Sequence, residues 1–305
     1  MDLTQKQDGM EIARYDHLQL EYVTSNNVTA LQKMNTEYAR ATKLLIEDVL
    51  GVGLVNEPQI NEKMLVYFSD TTVLRLMMDV EEKFKDIHWI EKDLSKGLSF
   101  LEKELPDLVV PQFYAQISAL NQSIVVRDSL VGISLDKYLG ADYTLYKRFY
   151  HDYQIRSMSP DRIVPDCLTF YLISEYPMAY SWRRTLLDMM LYRGRIAWIL
   201  TKALDFDGLE GILGFNAKEE KWCEKNKKQI WQYMQDNHHL NSSDPMIIRS
   251  YMGTIPYFNI MDNNAPQGIG IWVGAQIVDE YMRRHKDVTI KQLMDITDYR
   301  MLLAD

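Results

Sequence analysis

The spacing of apolar residues changes at Pro111, and that change constrains the fold more than any other feature of the chain. Before it, Leu31, Met34, Tyr38, Leu45 and Val49 fall on one side of a helical pattern running from Val28 to Leu50. After it come Phe113–Leu120, Ser123–Val126 and Leu130–Leu135, short β-branched or aromatic runs parted by Asn121-Gln122 and Arg127-Asp128. Such runs predict a small antiparallel meander of about three strands. Helical spacing returns after Gly140, so the sequence predicts an α+β protein that is mostly helical.

The helical patterns carry start and stop signals. Asn27 caps the segment from Val28, and Gly51-Val-Gly53 ends it. Glu11–Asp16 reads as a short extended piece, and Glu62–Phe68 fits either helix or strand. Asp70, with Thr71 and Thr72, caps Val73–Phe84, and Ile87–Leu105 stops at Pro106. Later helices are expected at Ile163–Tyr176, Trp182–Leu204, 217–236, Met246–Met252 after Pro245, Ile269–Arg284, and Thr289–Ile296 with Thr289 as cap. Within Lys218–Met234, the residues Trp222, Ile230, Trp231 and Met234 stand among charged and amide side chains, as on a helix covering a core. Asp262–Gly268 is a loop. Gly270 and Gly274, one turn apart, permit close backbone approach; with Gly194, Trp222 and Trp231 they are assigned to packing. The expected organisation is a disordered tether over 1–10, a helical part over 11–107 and a core over 108–305, with one compact unit as the alternative.

The chain has 305 residues, 47% hydrophobic and 25% charged, which suffices for a substantial core. A net charge of −9 with no long basic run argues against nucleic acid or an anionic membrane surface as partner. Every apolar run is shorter than the roughly 20 residues of a spanning helix. The polar start Met1–Asp8 is unlike a signal peptide. Cys167 and Cys223 both lie in helical patterns and read as buried free thiols.

None of the six histidines, His17, His88, His151, His238, His239 and His285, has the spacing of a zinc-binding helix. There is no nucleophile elbow and no phosphate loop. What remains are polar residues on apolar helices: Asp188, Arg193 and Arg195 on one, Asp166 and Glu175 on another. Asp188 and Arg195, seven apart, share a helix face, so they either pair at the border of the core or line a cleft.

Several blocks in order give the chain a family resemblance. They are Ile12–Asp16, Leu65–Asp70, Leu130–Gly140, Thr185–Arg195, Gly214-Phe215, Trp222–Asn226, Ile230-Trp231, Asn263–Gly274 and Gln276–Val278. Together they resemble the GldB family of gliding-motility-associated lipoproteins of Bacteroidetes. That family in turn looks like a degenerate relative of predicted zinc proteases of the zincin type. The resemblance implies a zincin-like core in which the 163–176 helix replaces the metal-binding helix and 187–197 the one after it. Val164–Phe170 has no histidine, and Tyr192-Arg193-Gly194 stands where a glutamate would complete the metal site. An arginine stays protonated and cannot take that place. No zinc, no cofactor and no catalytic residue is therefore expected. The residues expected to border a vestigial cleft are Asp136, Tyr138, Asp166, Asp188, Tyr192, Arg195 and Trp272.

The expectation is a non-catalytic, lipid-anchored envelope protein on the periplasmic side, a pseudo-enzyme that binds a protein or peptide partner. Its export signal and anchor would lie outside this sequence, with Met1 supplied and Asp2–Asp8 as tether. One alternative is an active hydrolase with a carboxylate-based metal site at Asp136, Asp166 and Asp188, since close carboxylates can hold a cation. Another is a cytoplasmic structural protein.

Overall fold

The computed structural model describes residues 10–178, 184–253, 261 and 265–303. Expectations resting on residues 1–9, on Trp182 and on Asp262–Asn264 lie outside the described residues. The described residues form two compact units, drawn from Met1–Ser95 with Val109–Tyr171 and from Lys96–Leu108 with Leu172–Asp305.

The first unit opens with β1 (Ile12–Arg14), α1 (Tyr15–Ser25), α2 (Val28–Thr36) and α3 (Ala39–Lys43). The extended piece at 11–16 thus stops at Arg14, and a helix takes over at Tyr15. The single helix expected over Val28–Leu50 is divided into α2, α3 and a π-helical stretch, Leu44–Leu50. Threonine hydroxyls mark the break: Thr36 donates to the Gln32 carbonyl at 2.8 Å, and Thr42 donates to Met34 O at 2.6 Å. Such local bonds compete with a continuous helix. Asn27 caps α2 as expected, accepting from the Thr29 and Ala30 N–H groups. Next come α4 (Ile60–Phe68), which settles that stretch as helix by burying Ile60, Met64 and Phe68 one turn apart, and α5 (Thr71–Lys83), capped by Asp70. Then follows α6 (His88–Glu104), which passes from the first unit to the second after Ser95.

The sheet corrects the sequence expectation. It holds β1, β2 (Gln112–Gln116), β3 (Ile124–Arg127) and β4 (Leu130–Ser134) in the order β1-β2-β4-β3. β1 and β4 both run parallel to β2, and only the β3–β4 pair is antiparallel, so the sheet is four-stranded and mixed. A two-residue turn explains that pair: Asp128 and Ser129 take φ of 47° and 58°, the handedness that matches strand twist in a tight hairpin. β4 then lies between β3 and β2, and every one of its residues is buried. Burial on both faces erases the alternation that would have reported strand direction and partners. The unit is completed by α7 (Asp152–Ile155) and by α8 (Ile163–Glu175) as far as Tyr171.

The second unit contains α9 (Leu186–Ala203), α10 (Glu210–Leu213), α11 (Ala217–Asp236), α12 (Pro245–Met252), α13 (Ile269–Arg284) and α14 (Ile290–Asp295). Its centre is the α9–α13 crossing, where glycines remove side chains from the contact. A Cβ on Gly194 would overlap the Gly274–Ala275 backbone, and one on Gly274 would overlap the Met190 carbonyl. Gly270 likewise faces Tyr251 and Met190, so all three glycines serve the packing expected of them. On α11 the buried seam is Cys223, Ile230 and Met234, with Trp222 and Trp231 only half-buried.

Candidate functional site

The residues singled out by sequence fall into separate clusters. Asp136, Tyr138 and Asp166 belong to the first unit, and Asp188, Tyr192, Arg195 and Trp272 to the second.

Asp136 follows β4 in a short 3-10 turn and is fully buried. Its carboxylate accepts the Ser118 N–H at 2.9 Å, the Leu120 N–H at 2.6 Å and the Ser118 hydroxyl at 3.2 Å. These donors come from a turn in which Ala119 and Leu120 take left-handed φ of 51° and 67°. Non-glycine residues reach that region at a cost, and the carboxylate offsets it by binding the exposed amides. Burial pushes the Asp136 carboxyl up from its ordinary value, while the Ser118 and Leu120 donors pull it back. Around it, Tyr146 donates to Asp136 O at 2.6 Å, and Lys137 Nζ reaches the Tyr150 hydroxyl at 2.7 Å.

Tyr138 and Asp166 do meet. The Tyr138 hydroxyl donates to Asp166 Oδ2 at 3.1 Å, and Arg162, one turn earlier, donates to Oδ1 at 2.8 Å. Burial raises the Asp166 carboxyl, and the Arg162 guanidinium opposes it. Cys167 beside it is buried, and desolvation holds its thiol well above the ordinary value, the reverse of what a nucleophile needs.

In the second unit, Asp188 closes a capping box: Oδ2 accepts from the Thr185 N–H at 2.9 Å and from its hydroxyl at 2.8 Å. Arg195, only 2% exposed, reaches the open end of α14, donating to the carbonyls of Leu293, Met294 and Ile296 at 3.2, 3.1 and 2.8 Å. Its charge lies 4.9 Å from the Tyr299 ring centre and 5.4 Å from that of Tyr192. A cation at a helix C-terminus meets the negative end of the dipole. The Asp188–Arg195 pair that their spacing suggested is therefore replaced by two separate helix-end contacts. Tyr192 donates to Tyr176 O at 3.0 Å, and Trp272 donates to Glu220 Oε1 at 3.1 Å.

Sequence reasoning missed Arg162, although its position four residues before Asp166 could have revealed it. It also missed a His-carboxylate group. His17 Nε2 lies 3.1 Å from Glu81 Oε2 and 3.9 Å from Asp16 Oδ2, the one such ligand grouping among the described residues. Arg14 already grips both Asp16 oxygens, at 2.9 and 2.7 Å, so a cation there would face a fixed guanidinium.

The resemblance of the sequence blocks can be set against known families. The family described as gliding motility protein GldB matches residues 2–305. The chain belongs to the GldB family. No curated protein and no solved structure matches it. Membership makes this a gliding-motility-associated protein of a lipoprotein family, hence of lipid-anchored, envelope type. Among the described residues, no helix is long and apolar enough to cross a membrane.

Proposed function

We propose that this GldB-family protein is a non-catalytic binding protein on the periplasmic side of the envelope. It engages a protein or peptide partner on a scaffold resembling a metallopeptidase that has lost its metal ligands. One observation carries the reading: the ionisable residues that the sequence places at the cleft are committed to holding the fold. Asp136 binds backbone amides, Asp188 caps α9, Arg195 binds the end of α14, and Asp166 is held by Tyr138 and Arg162. A general base or metal ligand needs a lone pair directed at substrate or ion, and these carboxylates direct theirs at the protein's own donors.

Metal analysis of protein purified without chelator tests the reading. The expected content of zinc and other transition ions is well below one equivalent, and added zinc leaves the thermal midpoint unchanged. One equivalent of tightly held ion, lost from a folded Asp166→Ala variant, would establish the carboxylate-site hydrolase instead.

A further inference from the structure

In the second unit a groove of about 500 Å³ runs between α11 and α13, closed at one side by Leu302 and Leu303. Its floor is apolar: Trp231 from α11, with Trp272, Val273, Ile277 and Tyr281 from α13. The α13 residues lining it extend from Trp272 to Arg284, about 18 Å of helix at 1.5 Å per residue. That is roughly three turns, the length over which an amphipathic helix presents its i, i+4 and i+7 positions.

The charges on the rim are unequal. On α13, Glu280 is held by Arg284, and Asp279 is taken by Arg283 at 2.8 Å and by the Trp198 indole N–H at 3.0 Å. Across the groove Lys227 and Lys228 are exposed, and neither has an acidic partner among the described residues. Lys227 Nζ reaches only the Gln276 amide oxygen, at 3.4 Å. Two uncompensated cations beside an aromatic floor, on a chain whose net charge is −9, select for an acidic occupant.

Shape decides among acidic occupants. The apolar residues are recessed between two helices, with Trp231, Ile277 and Tyr281 half-buried, so a flat lipid surface meets the lysines and misses the floor. A free acyl chain would lie in an open groove with one side in water and with Gln276 and Glu280 interrupting its track. A helix buries only its apolar face and keeps its polar face in solvent, so the groove suits it without that penalty.

We propose that the α11–α13 groove receives an amphipathic, acidic helical segment of a partner protein, seated on Trp231, Ile277 and Tyr281 and paired with Lys227 and Lys228. This rests on the partner-binding reading above and gives that partner a chemistry.

The test is selection from a displayed library of helical peptides of about sixteen residues, against the full chain, followed by affinity measurement. Enriched peptides are expected to combine an apolar stripe with Asp or Glu. They should lose about tenfold or more in affinity for Lys227→Glu/Lys228→Glu, and again when their acids are changed to Gln. Both lysines are exposed, so this variant is expected to fold, and Ile277→Asn, which adds no charge, provides a second check on the floor. Enriched peptides that bind both variants as tightly as the parent would overturn the groove while leaving partner binding intact. Failure to enrich any peptide would count against both. Binding of phosphatidylglycerol vesicles that is abolished by the lysine variant would assign the patch to lipid and overturn the proposal.

Discussion

Asp136 and Asp70 show how one residue type carries different consequences. Asp70 accepts from the Thr72 and Val73 amides at 2.8 and 3.3 Å through one oxygen, at an exposed helix start. Asn fills that position about as well as Asp, so Asp70→Asn should be nearly neutral. Asp136 uses both oxygens, and in Asp136→Asn one of them becomes a donor facing the Leu120 amide or the Ser118 amide. A buried donor without an acceptor costs about 1–3 kcal/mol, and the left-handed Ala119-Leu120 turn loses its anchor as well. Urea denaturation of the two variants should separate them by at least about 2 kcal/mol; equal midpoints would show that the buried carboxylate is dispensable. The sequence offered Asp136 as a cleft residue because an acid among apolar neighbours reads the same whether it faces ligand or amides. The positive φ at Ala119 and Leu120, which decides between the two, leaves no mark in residue identity, since neither is glycine. Arg195 was ambiguous for a related reason. Its acceptors are backbone carbonyls of α14, about a hundred residues away, and carbonyls have no sequence signature.

At the scale of elements, legibility followed the range of the interaction that fixes each one. Asn27, Asp70 and Thr289 were readable as caps because a cap bonds to amides two or three residues on. The antiparallel meander was not, because strand direction depends on what lies beside β2, and its neighbours include β1 from near the start of the chain. The glycines of α13 lie between these cases: their spacing was visible, but the partner was not. The crossing itself supplies a graded test. Gly274→Ala would drive a methyl group into the Met190 carbonyl on α9, a contact between two backbones that no rotamer can relieve. Overpacking usually costs about 1–3 kcal/mol, and here the upper end or more is expected. Gly208→Ala meets only the Glu220 carboxylate, at 3.8 Å, and should be neutral or stabilising by up to about 1 kcal/mol through the unfolded chain. A thermal scan in which both substitutions behave alike would show that the α9–α13 approach is not what limits stability.

For the whole molecule, the division into units does not follow the order of the chain. The second unit takes Lys96–Leu108 from a region that otherwise belongs to the first. That short segment contributes Leu98, Leu101 and Leu105, at most 3% exposed, and its Lys96 and Asp107 pair with Asp205 and Lys291 at 3.5 and 3.1 Å. A chain boundary placed at 171/172 therefore leaves the second unit without part of its core, even though every later helix is present. Deleting three buried leucines costs far more than the 2–5 kcal/mol of a single Leu→Ala core substitution, which is comparable with the whole stability of a domain. A fragment of 172–305 should accordingly show helix by circular dichroism without a cooperative thermal transition, and a fragment starting before α6, at 85, should recover one. If 172–305 alone melts as sharply as the full chain, Lys96–Leu108 is an accessory, and the unit is complete without it. A cooperative transition only in the longer fragment shows that the second unit, and the α11–α13 groove within it, depends on chain that precedes Leu172, where Lys96–Leu108 supplies the buried leucines.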